Sequence, residues 1–149
     1  MKHPISILTL AATLLLTPVL ALAHGRVDLG PNGGRLVPLS TNATLQGEVV
    51  LKEGRFHVTL LDPQLKPVEL KDASLTVVGG ERNQPERPRV ERVENRFVFP
   101  ALKGNRYLLV LQFRSHAAAK PVNARFEFDA SPCGGCQKPE WLCQCTAEK

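Results

Sequence analysis

From Leu36 onward, apolar side chains recur at every second position, and this alternation limits the fold more than any other feature of the chain. A strand turns successive side chains to opposite faces, so period-two spacing commits a segment to one buried and one exposed face. In ATLQGEVVLK (43–52), Leu45, Val49 and Leu51 share one face, and Gln46, Glu48 and Lys52 share the other. Glu53-Gly54 is a tight-turn signal, and RFHVTLL (55–61) then sends Phe56, Val58 and Leu60 inward, which together predicts a β-hairpin. DPQLKP (62–67) reads as a loop, and ASLTVVGG (73–80) as a strand ended by its two glycines. RFVFP (96–100), KGNRYLLVLQFR (103–114) and KPVNARFEFDA (120–130) continue the pattern, with Tyr107 placed to form a tyrosine corner or a core aromatic. Between them, residues 81–96 are charged and broken by Pro85 and Pro88, which reads as a solvated connection with room for a short edge strand in preference to a binding loop. About seven short strands result, and no stretch after residue 23 sustains a helical period. Strands with one apolar face each are satisfied by two sheets packed face to face. The expected fold is an all-β, immunoglobulin-like antiparallel β-sandwich of about seven strands, spanning 35–130.

The first residues predict where such a domain works. Lys2 precedes an almost wholly apolar run from Ile5 to Leu22, and Ala21-Leu22-Ala23 has the A-x-A form of a secretory cleavage site. Residues 1–23 are therefore expected to be a signal peptide, leaving a soluble, exported chain with no membrane span after cleavage. Residues 24–34 form an N-terminal arm and glycine turn, and 131–149 a Cys-rich tail. The formal net charge of +5 is spread among alternating acids and bases, without a basic stripe interleaved with aromatics, so nucleic acid is not an expected partner.

GPNGGRLV (30–37) follows the arm. No Lys-Ser/Thr pair and no helix follow its glycines, so it is a shaped turn into the first strand and not a phosphate loop. With the hairpin GEVVLKEGRFHVTLLDPQLKPVEL (47–70), this octapeptide resembles the small exported β-domain at the N-terminus of periplasmic adaptor subunits of heavy-metal efflux systems of the resistance-nodulation-division type. The resemblance covers roughly residues 30–80. It implies a periplasmic, non-enzymatic domain in the orbit of metal-cation handling, with a periplasmic efflux component as partner. It does not supply metal ligands, and the chain has no counterpart of the adaptors' long helical hairpin or their barrel and lipoyl-like domains.

All four cysteines lie in SPCGGCQKPEWLCQC (131–145): Cys133, Cys136, Cys143 and Cys145, spaced C-x2-C-x6-C-x-C. Thiolates are soft ligands suited to copper or zinc, and Gly134-Gly135 lets the chain fold tightly beneath the first pair. The spacing differs from a zinc ribbon, whose two knuckles are both C-x2-C. An even number of cysteines in an exported chain also suits disulfides, for instance Cys133–Cys145 nested around Cys136–Cys143. A redox dithiol is the third state open to them, although no βαβ pattern or helix N-terminus activates Cys133. The sandwich ends near Asp129, so the tail reads as appended to a domain complete without it, with Trp141 as a pin to its body.

Cleavage after Ala23 would expose His24 with its free amine, a pair of donors that a copper ion takes up in histidine-brace sites when another histidine, His57 or His116 here, joins them. The bland alternative is a flexible arm beside ordinary surface histidines. Asp62, Asp72 and Asp129 are isolated turn residues, and Ser74 and Ser131 have no histidine base nearby in sequence. The chain is thus expected to be a metal-binding protein and not an enzyme, with Cys133, Cys136, Cys143, Cys145 and His24 as candidate ligands. A disulfide-stabilised interaction module is the alternative, and a thiol-redox or copper enzyme the third possibility.

Overall fold

The computed structural model describes residues 27–145. The segment 1–23, expected to be a signal peptide, and His24 lie outside these residues. The described chain is a β-sandwich of nine strands: β1 (Arg35–Pro38), β2 (Gln46–Lys52), β3 (Arg55–Leu61), β4 (Ser74–Glu81), β5 (Gln84–Glu86), β6 (Glu91–Val93), β7 (Arg96–Pro100), β8 (Arg106–Arg114) and β9 (Val122–Asp129). One sheet has the order β1-β2-β3-β7-β6 and the other β5-β4-β8-β9, and every pairing is antiparallel. The all-β, immunoglobulin-like expectation is met. Seven of the strands have four or more residues; the other two are three-residue edge strands. Among the described residues, no helix is long and apolar enough to cross a membrane.

Both edge additions come from the charged stretch at 81–96. β5 closes a hairpin on β4, and β6 closes another on β7, so the stretch edges one sheet and then crosses to edge the other. Pro85 is tolerated because β5 has a ladder on one side only. Strand β4 runs through Gly79 and Gly80 to Glu81 and is not ended by them, because β8 and β5 flank these glycines on either side. Between β2 and β3, Glu53 and Gly54 both take positive φ, 52° and 72°, the twist that a two-residue hairpin turn requires.

The alternation places the core. Along β8, Tyr107, Leu109, Leu111 and Phe113 are buried, and they face Ala124, Phe126 and Phe128 of β9 across the register. Phe56 and Val58 of β3, with Phe97 and Phe99 of β7, close the layer from the opposite sheet. Each such burial contributes roughly 1.5–3 kcal/mol. Tyr107 fills both roles open to it. Its ring stacks on Phe128 at 4.7 Å, and its hydroxyl oxygen accepts the Leu102 backbone N–H at 3.3 Å, five residues upstream, as a tyrosine corner does.

Besides Val98 and Leu61, which are buried out of phase on β7 and β3, two features depart from the alternation. Glu48 sits on the outer face of β2 and is nonetheless fully buried. Its carboxylate is covered by the glycine turn: Oε1 accepts the backbone N–H groups of Asn32 (2.7 Å) and Gly34 (3.1 Å), and Oε2 accepts the Asn32 side-chain amide (2.7 Å). A β-carbon at Gly34 would lie 2.6 Å from the Val49 carbonyl oxygen, and one at Gly30 would lie 2.6 Å from the Glu48 carboxyl carbon, so glycine is what lets the turn close over the acid. The octapeptide is thus a lid on a buried carboxyl group.

The second departure is Trp141, which is only 3% exposed and belongs to the core. Its ring meets Phe56 of one sheet edge-on at 5.9 Å and stacks on Phe126 of the other at 6.0 Å, with Phe128 at 5.5 Å. Arg35 donates to the Trp141 carbonyl at 3.1 Å and lies over the Phe126 ring at 5.3 Å. The tail is not appended to a finished domain; its tryptophan fills the space between the sheets.

Candidate metal centre

The cysteine segment is shaped by its own backbone before any sulfur is considered. The Cys133 N–H donates to the Lys138 carbonyl at 2.7 Å, and its carbonyl accepts the Gln137 N–H at 3.0 Å, closing a tight loop around Gly134-Gly135. Pro132 and Pro139 pair across the base of this loop. A short 3-10 turn, Glu140–Leu142, follows and drives Trp141 into the core. Its geometry returns the chain so that Cys143 and Cys145 face the loop carrying Cys133 and Cys136.

The result is a four-sulfur cluster. One Sγ from each of Cys133, Cys136, Cys143 and Cys145 lies within 4.8 Å of all the others, and among the described residues no other group of three or more Cys, His, Asp or Glu side chains is so gathered. The separations are 2.8 Å for Cys133–Cys143, 3.7 Å for Cys136–Cys143 and 3.9 Å for Cys133–Cys145. Tetrahedral zinc–thiolate bonds of about 2.3 Å put sulfurs about 3.8 Å apart. Two of these three separations match, and a small outward shift of Cys133 from Cys143 would bring the third to the same value. The four cysteines can hold a metal ion.

The thiolate form is favoured at Cys133, and disfavoured at Cys143 and Cys145. The Cys133 thiol is held down to about 7 by the proton it receives from Cys143 and by the N–H groups of Cys136 and Gly135. Cys143, which keeps that shared proton, is pushed up to about 12. The Cys145 N–H in turn donates to the Cys143 sulfur at 3.3 Å. The sequence had offered no helix N-terminus to activate Cys133; the tight loop supplies amide donors instead. Gly135 fits closely under the sulfurs: a β-carbon there would lie 3.0 Å from the Cys145 sulfur, which would have to give way. Cys133 is buried, Cys143 half-buried, and Cys136 and Cys145 exposed, so the cluster is rooted in the domain and open on one side.

Among the described residues, neither histidine, His57 nor His116, is part of it. His116 is exposed in the connection between β8 and β9. His57 lies half-buried on the outer face of β3, its pKa lowered first by burial and then by the charges of Arg96, Lys52 and Arg55. An imidazole among three cations is a poor place for another cation. Sequence reasoning missed two arrangements, the clamp of Asn32 on Glu48 and the cleft that surrounds His57. Neither has a motif, because both depend on which loop covers which strand. No family model matches the chain, and neither a curated protein nor a solved structure shows significant similarity to it.

Proposed function

We propose that the chain is an exported, non-enzymatic metal-binding protein that takes up a soft cation, Cu⁺ or Zn²⁺, as cargo in the periplasm and serves heavy-metal handling or efflux. The observation that carries the reading is the convergence of four cysteine sulfurs within 4.8 Å, with the Cys145 N–H donating to the Cys143 sulfur. Thiolate ligands select these ions over hard cations. The leader pattern at 1–23 and the resemblance of residues 30–80 to efflux-adaptor domains support export and the link to efflux. Two exposed sulfurs suit an ion that must be passed on, because an incoming thiolate can reach it.

The test is anaerobic reconstitution with Zn²⁺, and with Co²⁺ as a spectroscopic probe. One equivalent per chain and an intense thiolate-to-cobalt band are expected, both lost in Cys133→Ser and Cys136→Ser. A fully reduced protein that takes up none of Zn²⁺, Co²⁺ and Cu⁺ refutes the proposal. A second reading draws on the Cys133–Cys143 separation of 2.8 Å, the closest sulfur pair observed. In an oxidising compartment that pair, with Cys136 and Cys145, would form two disulfides in a metal-free interaction module. Thiol counting on periplasmic extract separates the two: four free thiols on removal of metal, or none until reductant is added.

A further inference from the structure

On the outer face of the five-stranded sheet, away from the sulfurs, lies a cleft of about 470 Å³. That volume is within the range of small-ligand sites, roughly 300–1,000 Å³. Its floor is built by β2 and β3: Val50 and His57 are register partners, with Lys52 and Thr59 on the same face. No cysteine lines it.

The walls are held in place by hydrogen bonds that have nothing to do with a ligand. Asn32 is clamped to the buried Glu48 through its backbone and its side chain. Asn95, on the opposite side, accepts the Leu70 N–H and donates to the Val68 carbonyl, both at 2.9 Å. Such walls cannot collapse into the cleft without breaking these bonds, so the space is preformed. Lys52, His57 and Thr59, in contrast, have no side-chain hydrogen bond or ion pair with any described residue.

The lining carries two cations, Lys52 and Arg96, and one acid, Glu94. Arg96 lines the cleft and Arg55 lies near His57, which Lys52 flanks as well; Glu53 is the one nearby acid that opposes their effect on the imidazole. Glu94 also lines the cleft, where it pairs with Arg96 at 3.0 Å, and Arg55 is paired with Glu91. The Glu94–Arg96 pair is solvent-exposed, so a ligand carboxylate can displace Glu94 at small cost. Val50 and Pro67 offer apolar contact beside these donors.

We propose that this cleft binds a small organic carboxylate, its anionic group received by Lys52, Arg96 and His57 and its apolar body resting on Val50 and Pro67. A guanidinium matches a carboxylate's two oxygens, and an ammonium and an imidazole N–H supply point donors. The site shares no residue with the cysteine cluster, so its fate is independent of the metal reading.

The experiment is an NMR titration of the protein with benzoate, following the Val50 and Thr59 amides and the His57 ring. Benzyl alcohol serves as the uncharged control, and inorganic phosphate as the charge without the body. Benzoate is expected to saturate shifts confined to the cleft, with the two controls about tenfold weaker or worse. The Lys52→Gln/Arg96→Gln double variant should lose about tenfold in benzoate affinity with unchanged thermal melting. The His57 pKa should rise on binding, because a negative charge then sits among Lys52, Arg55, Arg96, Glu53 and Glu94; binding is therefore tighter at about pH 6 than at about pH 8. Equal binding of benzyl alcohol or phosphate, shifts mapping outside the cleft, or an unimpaired double variant would each overturn the proposal.

Discussion

Replacing Trp141 by alanine tests whether the C-terminal segment is structural. The indole is 3% exposed and lies between Phe56, Phe126 and Phe128. An aromatic of this size removes up to about 250 Å² from water, which at about 25 cal/mol per Å² sets an upper bound near 6 kcal/mol. Large-to-small substitutions of buried tryptophan cost about 3–5 kcal/mol, because part of the gap relaxes. Arg35 loses its ring-lined seat in the same change, although the Trp141 carbonyl that it bonds remains. We expect about 4 kcal/mol of destabilisation in metal-free protein, a large part of the 5–15 kcal/mol typical of a domain. At about 4 °C per kcal/mol, the melting temperature should fall by about 15 °C. Urea unfolding followed by far-ultraviolet circular dichroism measures it without relying on tryptophan fluorescence. A companion chain ending at Ala130 gives the sharper comparison. If it unfolds within about 1 kcal/mol of the full protein, the tail is an appendage after all and the packing argument is wrong.

Glu48→Ala should cost about 2–4 kcal/mol, since it leaves the Asn32 and Gly34 amides without their acceptor, and Glu48→Gln should cost less; chemical denaturation of both variants checks the order. Gly135→Ala should weaken metal binding about tenfold or more, read by competition with a chromophoric chelator, because its β-carbon would press on the Cys145 sulfur at 3.0 Å. The same variant should leave metal-free stability within about 0.5 kcal/mol, because residue 135 is exposed.

The strands were legible because burial follows a period of two wherever nothing covers the outer face. In β8 and β9 the inward residues alternate without exception from Tyr107 to Phe113 and from Ala124 to Phe128. Glu48 shows where that logic stops. Its side of the strand could be read, but its exposure could not, because a turn fourteen to sixteen residues earlier folds over it. GPNGG looked like a permissive turn, and nothing in its composition names the carboxylate it encloses. The charged stretch at 81–96 hid two edge strands because three-residue pairings with exposed side chains have no apolar period. The cysteines announced themselves by spacing, and their convergence followed. The burial of Trp141 was harder to foresee, since one aromatic outside a periodic run gives no direction. His57 could be placed on the outer face of its strand, but its cationic neighbours come from another strand and a hairpin end, beyond the reach of local pattern.

The bond from Arg35 to Trp141 spans 106 residues of chain. A contact so distant in sequence forms late, after the ladders between neighbouring strands have already restricted the intervening chain. It is also made by a segment of loops and one short turn, so it can let go while both ladders persist. Undocking would bare an aromatic interior without melting either sheet, and a protease would then find its cuts between Ser131 and Cys145. An ion drawing the four sulfurs together would hold that latch shut, so the rate of tail cleavage would report occupancy of the centre in a protein whose sheets never change.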